Sequence, residues 1–146
     1  MKNIHYLIMA VCLLFGSCQE KPNKLYEEGI SLELAQLRKE EIKDLKYNLR
    51  FSIPEQKQEA VEGETRILFT IQKPQEIILD FRESADKVKE VSVNGQPSEY
   101  TFLNEHIILP EGSTIEGENE VHIRFTAGNQ SLNRNDEYLY TLLVPD

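Results

Sequence analysis

The chain has 146 residues, 40% of them hydrophobic and 28% charged, a size and balance that suit one globular domain plus a leader or tail. Its net charge is −9 with a pI near 4.9, and the acidic residues are scattered rather than blocked. That argues against nucleic-acid binding, which needs a basic footprint, and the scattered acidity reads as a solvated surface.

The chain begins with MKNIHYLIMAVCLLFGSC: one basic residue, Lys2, then an apolar stretch from Ile4 to Phe15. A run of about twelve residues is too short to span a bilayer of roughly 30 Å and has the length of a signal-peptide core. Phe15-Gly16-Ser17-Cys18 resembles a bacterial lipobox, in which the cysteine is acylated and becomes the mature N-terminus. The expectation is a leader over 1–17 and a lipid anchor on Cys18, holding the protein at a bacterial membrane outside the cytoplasm, in the periplasm or at the outer membrane. The competing reading is an ordinary secretory leader with Cys18 left free. The other cysteine, Cys12, lies within the leader, so a processed domain has no thiol for a disulfide, a metal or a nucleophile. Loss of Lys2, the one charged residue before Cys18, takes the mature charge to about −10.

Residues 18–28, polar and carrying Pro22 and Asn23, read as a tether ahead of a domain over 29–146. Ser31 is placed to cap a helix over Leu32–Ile42, with Glu33 in its first turn and an apolar stripe of Leu34, Leu37 and Ile42. A helix this short needs something to dock on. Leu45, Tyr47, Leu49, Phe51 and Ile53 then alternate with polar residues, the pattern of a half-buried strand stopped by Pro54.

The centre of the expected core is Gly63–Arg82, with strands over Thr65–Ile71 and Glu76–Phe81 parted by a Lys-Pro-Gln-Glu break. Ile67, Phe69 and Ile71 share one face, Ile77, Leu79 and Phe81 repeat the pattern, and Leu68 and Ile78 suggest cover on both sides. Val88, Val91 and Val93 lead to Asn94-Gly95, a tight-turn dipeptide, with Tyr100 and Phe102 on the expected return arm. A short strand over His106–Leu109 and an alternating one through Val121, Ile123 and Phe125 follow. Residues 127–136 are polar and turn-forming, and Glu137–Val144 makes the last strand. Seven or eight short strands behind one helix predict a mainly β fold, an antiparallel sandwich or saddle with one short N-terminal helix.

Catalytic patterns are missing. Beyond His5 in the leader there are two histidines, His106 and His122; neither belongs to a His-Glu-x-x-His pair, and both are expected at the surface. There is no phosphate loop and no Gly-x-Ser-x-Gly. No metal ligand or catalytic residue is therefore assigned to this chain, and it is not expected to be catalytic alone.

A family resemblance comes from several short motifs taken in order: Asp44-Leu45-Lys46-Tyr47, Glu62-Gly63-Glu64, Leu79-Asp80-Phe81, Val93-Asn94-Gly95 and Gly117-Glu118-Asn119, ending in SLNRNDEYLYTLLVPD. From about Glu28 to Asp146 the chain resembles the N-terminal β-domain of the membrane alanyl aminopeptidase family of zinc peptidases, in a branch of bacterial lipoproteins. The resemblance implies a saddle of β-sheets packed against a thermolysin-like catalytic domain, which holds the zinc and removes N-terminal residues from peptides. The Gly-x-Met-Glu-Asn and His-Glu-x-x-His motifs of that catalytic domain do not occur in this sequence. Alignment on Thr141 and Pro145 puts Leu142 and Val144 where other members carry the Gln-x-Glu that recognises a substrate amine. Both are apolar here, which fits equally the continuation of a buried strand.

Two functions are thus expected. One is a non-catalytic domain that flanks the substrate site of a lipid-anchored aminopeptidase, whose catalytic part lies elsewhere or on a partner chain. The other is a free-standing β-sandwich lipoprotein that binds or scaffolds a partner, by an exposed edge strand for example. The end at Asp146, after an apolar run, favours the first.

Overall fold

The structure, a computed structural model, describes residues 23–128, 132–134 and 137–141. Ten strands, β1 (Lys43–Ser52), β2 (Glu62–Ile71), β3 (Ile77–Asp80), β4 (Val88–Val93), β5 (Gln96–Pro97), β6 (Thr101–Leu103), β7 (His106–Leu109), β8 (Gly117–Thr126), β9 (Leu132–Arg134) and β10 (Leu139–Thr141), follow one α-helix, α1 (Leu32–Glu41). They form a five-stranded sheet in the order β1-β2-β8-β4-β5, a three-stranded sheet in the order β3-β7-β6, and a two-stranded hairpin of β9 and β10. All pairings are antiparallel. The expected mainly β sandwich with one N-terminal helix is the fold observed.

Alternation explains how the two larger sheets meet. Ile67, Phe69 and Ile71 of β2, Val91 and Val93 of β4, and Val121 and Ile123 of β8 turn the same face of their sheet inward. Against them lie Ile77 of β3 and Ile107 and Leu109 of β7. Strands β2 and β8 pair in unbroken register from Glu62 opposite Thr126 to Ile71 opposite Gly117. Their partners are thereby held across the core.

The helix covers the far side of the three-stranded sheet. Ser31 Oγ accepts from Leu34 N at 3.1 Å, capping α1 as expected. Ile42 follows the last turn as its C-cap. Leu34, only 1% exposed, packs on Ile78 and Ile108 with Leu25 and Tyr26 beside them. Strand β3 is therefore buried on both faces, as predicted.

Strand β2 is not: Leu68 is 41% exposed, because no described element covers the outer face of the five-stranded sheet there. The expectation of a half-buried β1 also fails, since all ten of its residues are exposed. The three-stranded sheet packs against β2, β8 and β4 and stops short of β1. The Asn94-Gly95 turn forms as predicted, both residues at positive φ, but its return arm is only Gln96–Pro97. Tyr100 and Phe102 belong instead to the approach to and body of β6, which pairs with β7 in the other sheet. A second tight turn, Asn104-Glu105, joins those two strands with φ of 48° and 63°. Strand β9 lies within the stretch expected to be turns alone.

Candidate functional site

Overhang makes the main surface feature. Leu45, Tyr47 and Leu49 point from β1 over the gap left by the narrower sheet. Below them Ile77, Leu79 and Phe81 form the other wall, and the groove between has a volume of about 670 Å³. Tyr47 is 64% exposed and Leu49 56%, with Leu45 and Phe51 about half exposed, so an apolar stripe runs the length of the strand.

Aromatic rings close one end. Phe51 meets Phe125 edge-on at 6.2 Å between centroids, Phe125 meets Phe81 at 5.6 Å, and Phe81 meets Phe102 at 6.3 Å. The Phe125 ring lies over Gly63, where an added Cβ would stand 2.3 Å from Cζ. A side chain at that point would have to displace the ring. This is the physical content of the Glu62-Gly63-Glu64 motif.

Next to Phe81 sits a polar network around Asp80. Arg38 of α1 donates to both Asp80 carboxylate oxygens, at 2.6 and 2.8 Å, and to the Ile78 carbonyl at 2.8 Å. Across the ladder from Asp80 is His106, 1% exposed, whose Nε2 donates to the Glu27 carbonyl at 2.9 Å. Its Nδ1 lies 3.1 Å from Asp80 Oδ1 but lacks the alignment of a hydrogen bond. A second cleft of about 480 Å³ opens here, between Glu28–Ile30 and Glu105, and shares Asp80 and Arg82 with the groove.

The same network docks the start of the described chain. Asn104 Nδ2 donates to Tyr26 O at 2.7 Å, and the Tyr26 hydroxyl donates to Glu76 Oε1 at 2.6 Å. That hydrogen bond to Glu76, with burial and the carboxylate's charge adding to it, holds the Tyr26 phenol above its ordinary pKa. Residues 24–28 therefore lie along the three-stranded sheet, within the segment expected to be tether.

His106 is not at the surface as expected, whereas His122 does alternate away from the core but is only partly exposed. His106 is buried because β7 is covered on both faces; His122 is partly buried on β8, its Nε2 3.4 Å from Glu64 Oε1. The two stand in different sheets, and no group of three His, Cys, Asp or Glu side chains able to hold a metal occurs among the described residues. These residues do not fit a zinc site. Cys18, Leu142 and Val144 lie outside the described residues. No described helix is long and apolar enough to cross a membrane.

Two of the sequence motifs meet for structural reasons. Asn119, buried on β8, accepts at Oδ1 from Ile115 N and Asn94 Nδ2, both at 3.0 Å. Its Nδ2 donates to Ile115 O at 2.8 Å and Gly117 O at 3.1 Å. Asn94 in turn accepts from Glu120 N at 2.9 Å. The Val-Asn-Gly and Gly-x-Asn motifs are one staple between a hairpin and the start of β8.

No protein-family profile and no curated protein matches the chain. A solved structure of a two-domain M1 zinc metallopeptidase, a mutant bound to L-tryptophan, is similar at a TM-score of 0.43 and 16% identity. The likeness covers 63% of this chain and 23% of that one, so this chain spans less than a quarter of that protein's length.

Proposed function

We propose that this chain is a non-catalytic docking domain, which packs through β1 and the groove beneath it against the catalytic domain of a membrane-anchored zinc aminopeptidase. The observation that carries the docking reading is β1 itself, exposed over all ten residues while its inner face is Leu45, Tyr47, Leu49 and Phe51. Covering the exposed half of those four side chains contributes about 4 kcal/mol before the cost of association. The ordered tripeptide motifs support the choice of partner, and the lipobox-like Phe15–Cys18 supports anchoring through Cys18. In this reading zinc and bond cleavage belong to the partner, and this domain positions it.

The experiment is to extract source-cell membranes with mild detergent, capture the chain with an antibody against this domain, and assay aminoacyl-naphthylamide cleavage. Chelator-sensitive cleavage is expected to accompany the chain, either on one larger polypeptide or on a second chain that a Tyr47→Asp, Leu49→Asp double variant releases. A band near the 16.9 kDa of the sequence, with no aminopeptidase activity, refutes the aminopeptidase reading and leaves a free-standing binding module.

A further inference from the structure

Strand β1 ends the five-stranded sheet, and among the described residues its one strand partner is β2. Its other edge offers a row of backbone donors and acceptors to a further strand. Proteins usually blunt such an edge, and here the interruption is confined to one end. The register shifts between Lys43 and Lys46, around Asp44 at φ 52°, and from Lys46 to Ser52 the pairing is unbroken.

The two faces along that edge differ in kind. Leu45, Tyr47, Leu49 and Phe51 face the groove, while Lys46, Asn48, Arg50 and Ser52 face outward. Among the described residues neither Lys46 nor Arg50 forms an ion pair. Arg50 is opposite Glu64, but that carboxylate lies 3.8 Å from Arg66 Nε and pairs with it instead. On a chain of net charge −9 this outer face of β1 is locally cationic.

We infer that the occupant of this edge is an extended strand of alternating acidic and apolar residues, supplied by the docking partner. The inference rests on the docking reading and adds the chemistry of the contact. Side chains of an added strand alternate as those of β1 do, so apolar ones would enter the groove beside Tyr47 and Leu49. Carboxylates would then stand beside Lys46 and Arg50 as cross-strand pairs. A second copy of the chain is a poor occupant. Antiparallel pairing of two β1 edges about Asn48 would set Lys46 against Arg50 twice, with like charges opposed.

The test uses the full chain and two end-capped ten-residue peptides, one alternating Glu and Val, the other Lys and Val. At low salt the Glu peptide is expected to bind on the order of tenfold more tightly, from two cross-strand charge pairs. It should protect the amides of residues 46–52 from hydrogen exchange. The preference should shrink at 1 M salt, where screening falls to about 3 Å. It should invert in the Lys46→Glu, Arg50→Glu variant, whose substituted residues are exposed and leave the core untouched. Equal binding of both peptides, binding of neither, or self-association that protects 46–52 overturns the inference. If both bind alike and Tyr47→Asp with Leu49→Asp abolishes both, docking on β1 stands while charge selection falls. Loss of aminopeptidase co-purification would sink the proposed partner separately.

Discussion

Replacing Asn119 by Ala removes a side chain that is 3% exposed and makes four hydrogen bonds. Ile115 N, Ile115 O and Gly117 O lose their partner, as does the Asn94 amide. At about 1 kcal/mol for each bond, with water reaching some of the abandoned groups, the cost is about 3 kcal/mol. Urea unfolding of the purified chain measures it. With an m-value of about 2 kcal/mol per M, the midpoint falls by about 1.5 M while m stays unchanged. Asn119→Asp should be at least as damaging, because it keeps the acceptors but sets a buried carboxylate against two carbonyl oxygens. Asn94→Gly keeps the positive φ that the turn requires and deletes only the bonds to Asn119 and Glu120. It should cost about 1–2 kcal/mol, and the double variant should cost less than the sum. An Asn119→Ala variant within 0.5 kcal/mol of the parent, on the scale of a surface substitution, would show that the staple is incidental and the argument wrong.

Three further outcomes are expected. Arg38→Met should destabilise the chain by about 1–2 kcal/mol, discounted for partial exposure, and raise amide exchange in α1 and residues 24–28; Arg38→Lys should not rescue it, because only a guanidinium spans Asp80 and Ile78 together. Gly63→Ala should cost about 1–3 kcal/mol by displacing the Phe125 ring, and adding Phe125→Leu should recover most of it; an unaltered melting temperature for the single variant would dismiss the close approach as a constraint. Because the Tyr26 phenol is held above its ordinary value, its bond to Glu76 contributes stability that is fully present below about pH 10 and lost as pH rises through the folded value. Ultraviolet titration of the parent minus Tyr26→Phe should show a phenol that ionises later than an exposed tyrosine, and a difference curve at the ordinary value would contradict the assignment.

The legible part of this protein was whatever depends on neighbours in sequence. Alternation at Ile67, Phe69 and Ile71 and at Val121 and Ile123 identified the inner faces, because a strand's side chains alternate whatever it pairs with. Ser31 and Asn94-Gly95 identified a cap and a turn, because both act over three or four residues. The same logic misled at β1. Its alternation is as regular as that of β2, yet whether an apolar face is covered depends on how far the opposing sheet extends, which no local pattern records.

Tertiary structure alone decided the rest. His106 reads as one more polar residue beside Glu105, and only the packing of β7 between the core and the docked N-terminal segment buries it. Arg38 and Asp80 lie 42 positions apart and Asn94 and Asn119 lie 25 apart, so neither pair can be seen before the chain is folded. Tyr100 and Phe102 join the sheet opposite to the one their spacing after Asn94-Gly95 suggests, and the turn that sends them there, Asn104-Glu105, lacks the glycine that usually marks a tight turn. Local pattern thus marks which residues seek a core and where the chain turns. The relative width of two sheets determined which of those residues were left in solvent, because an apolar face is covered only as far as the opposing sheet extends.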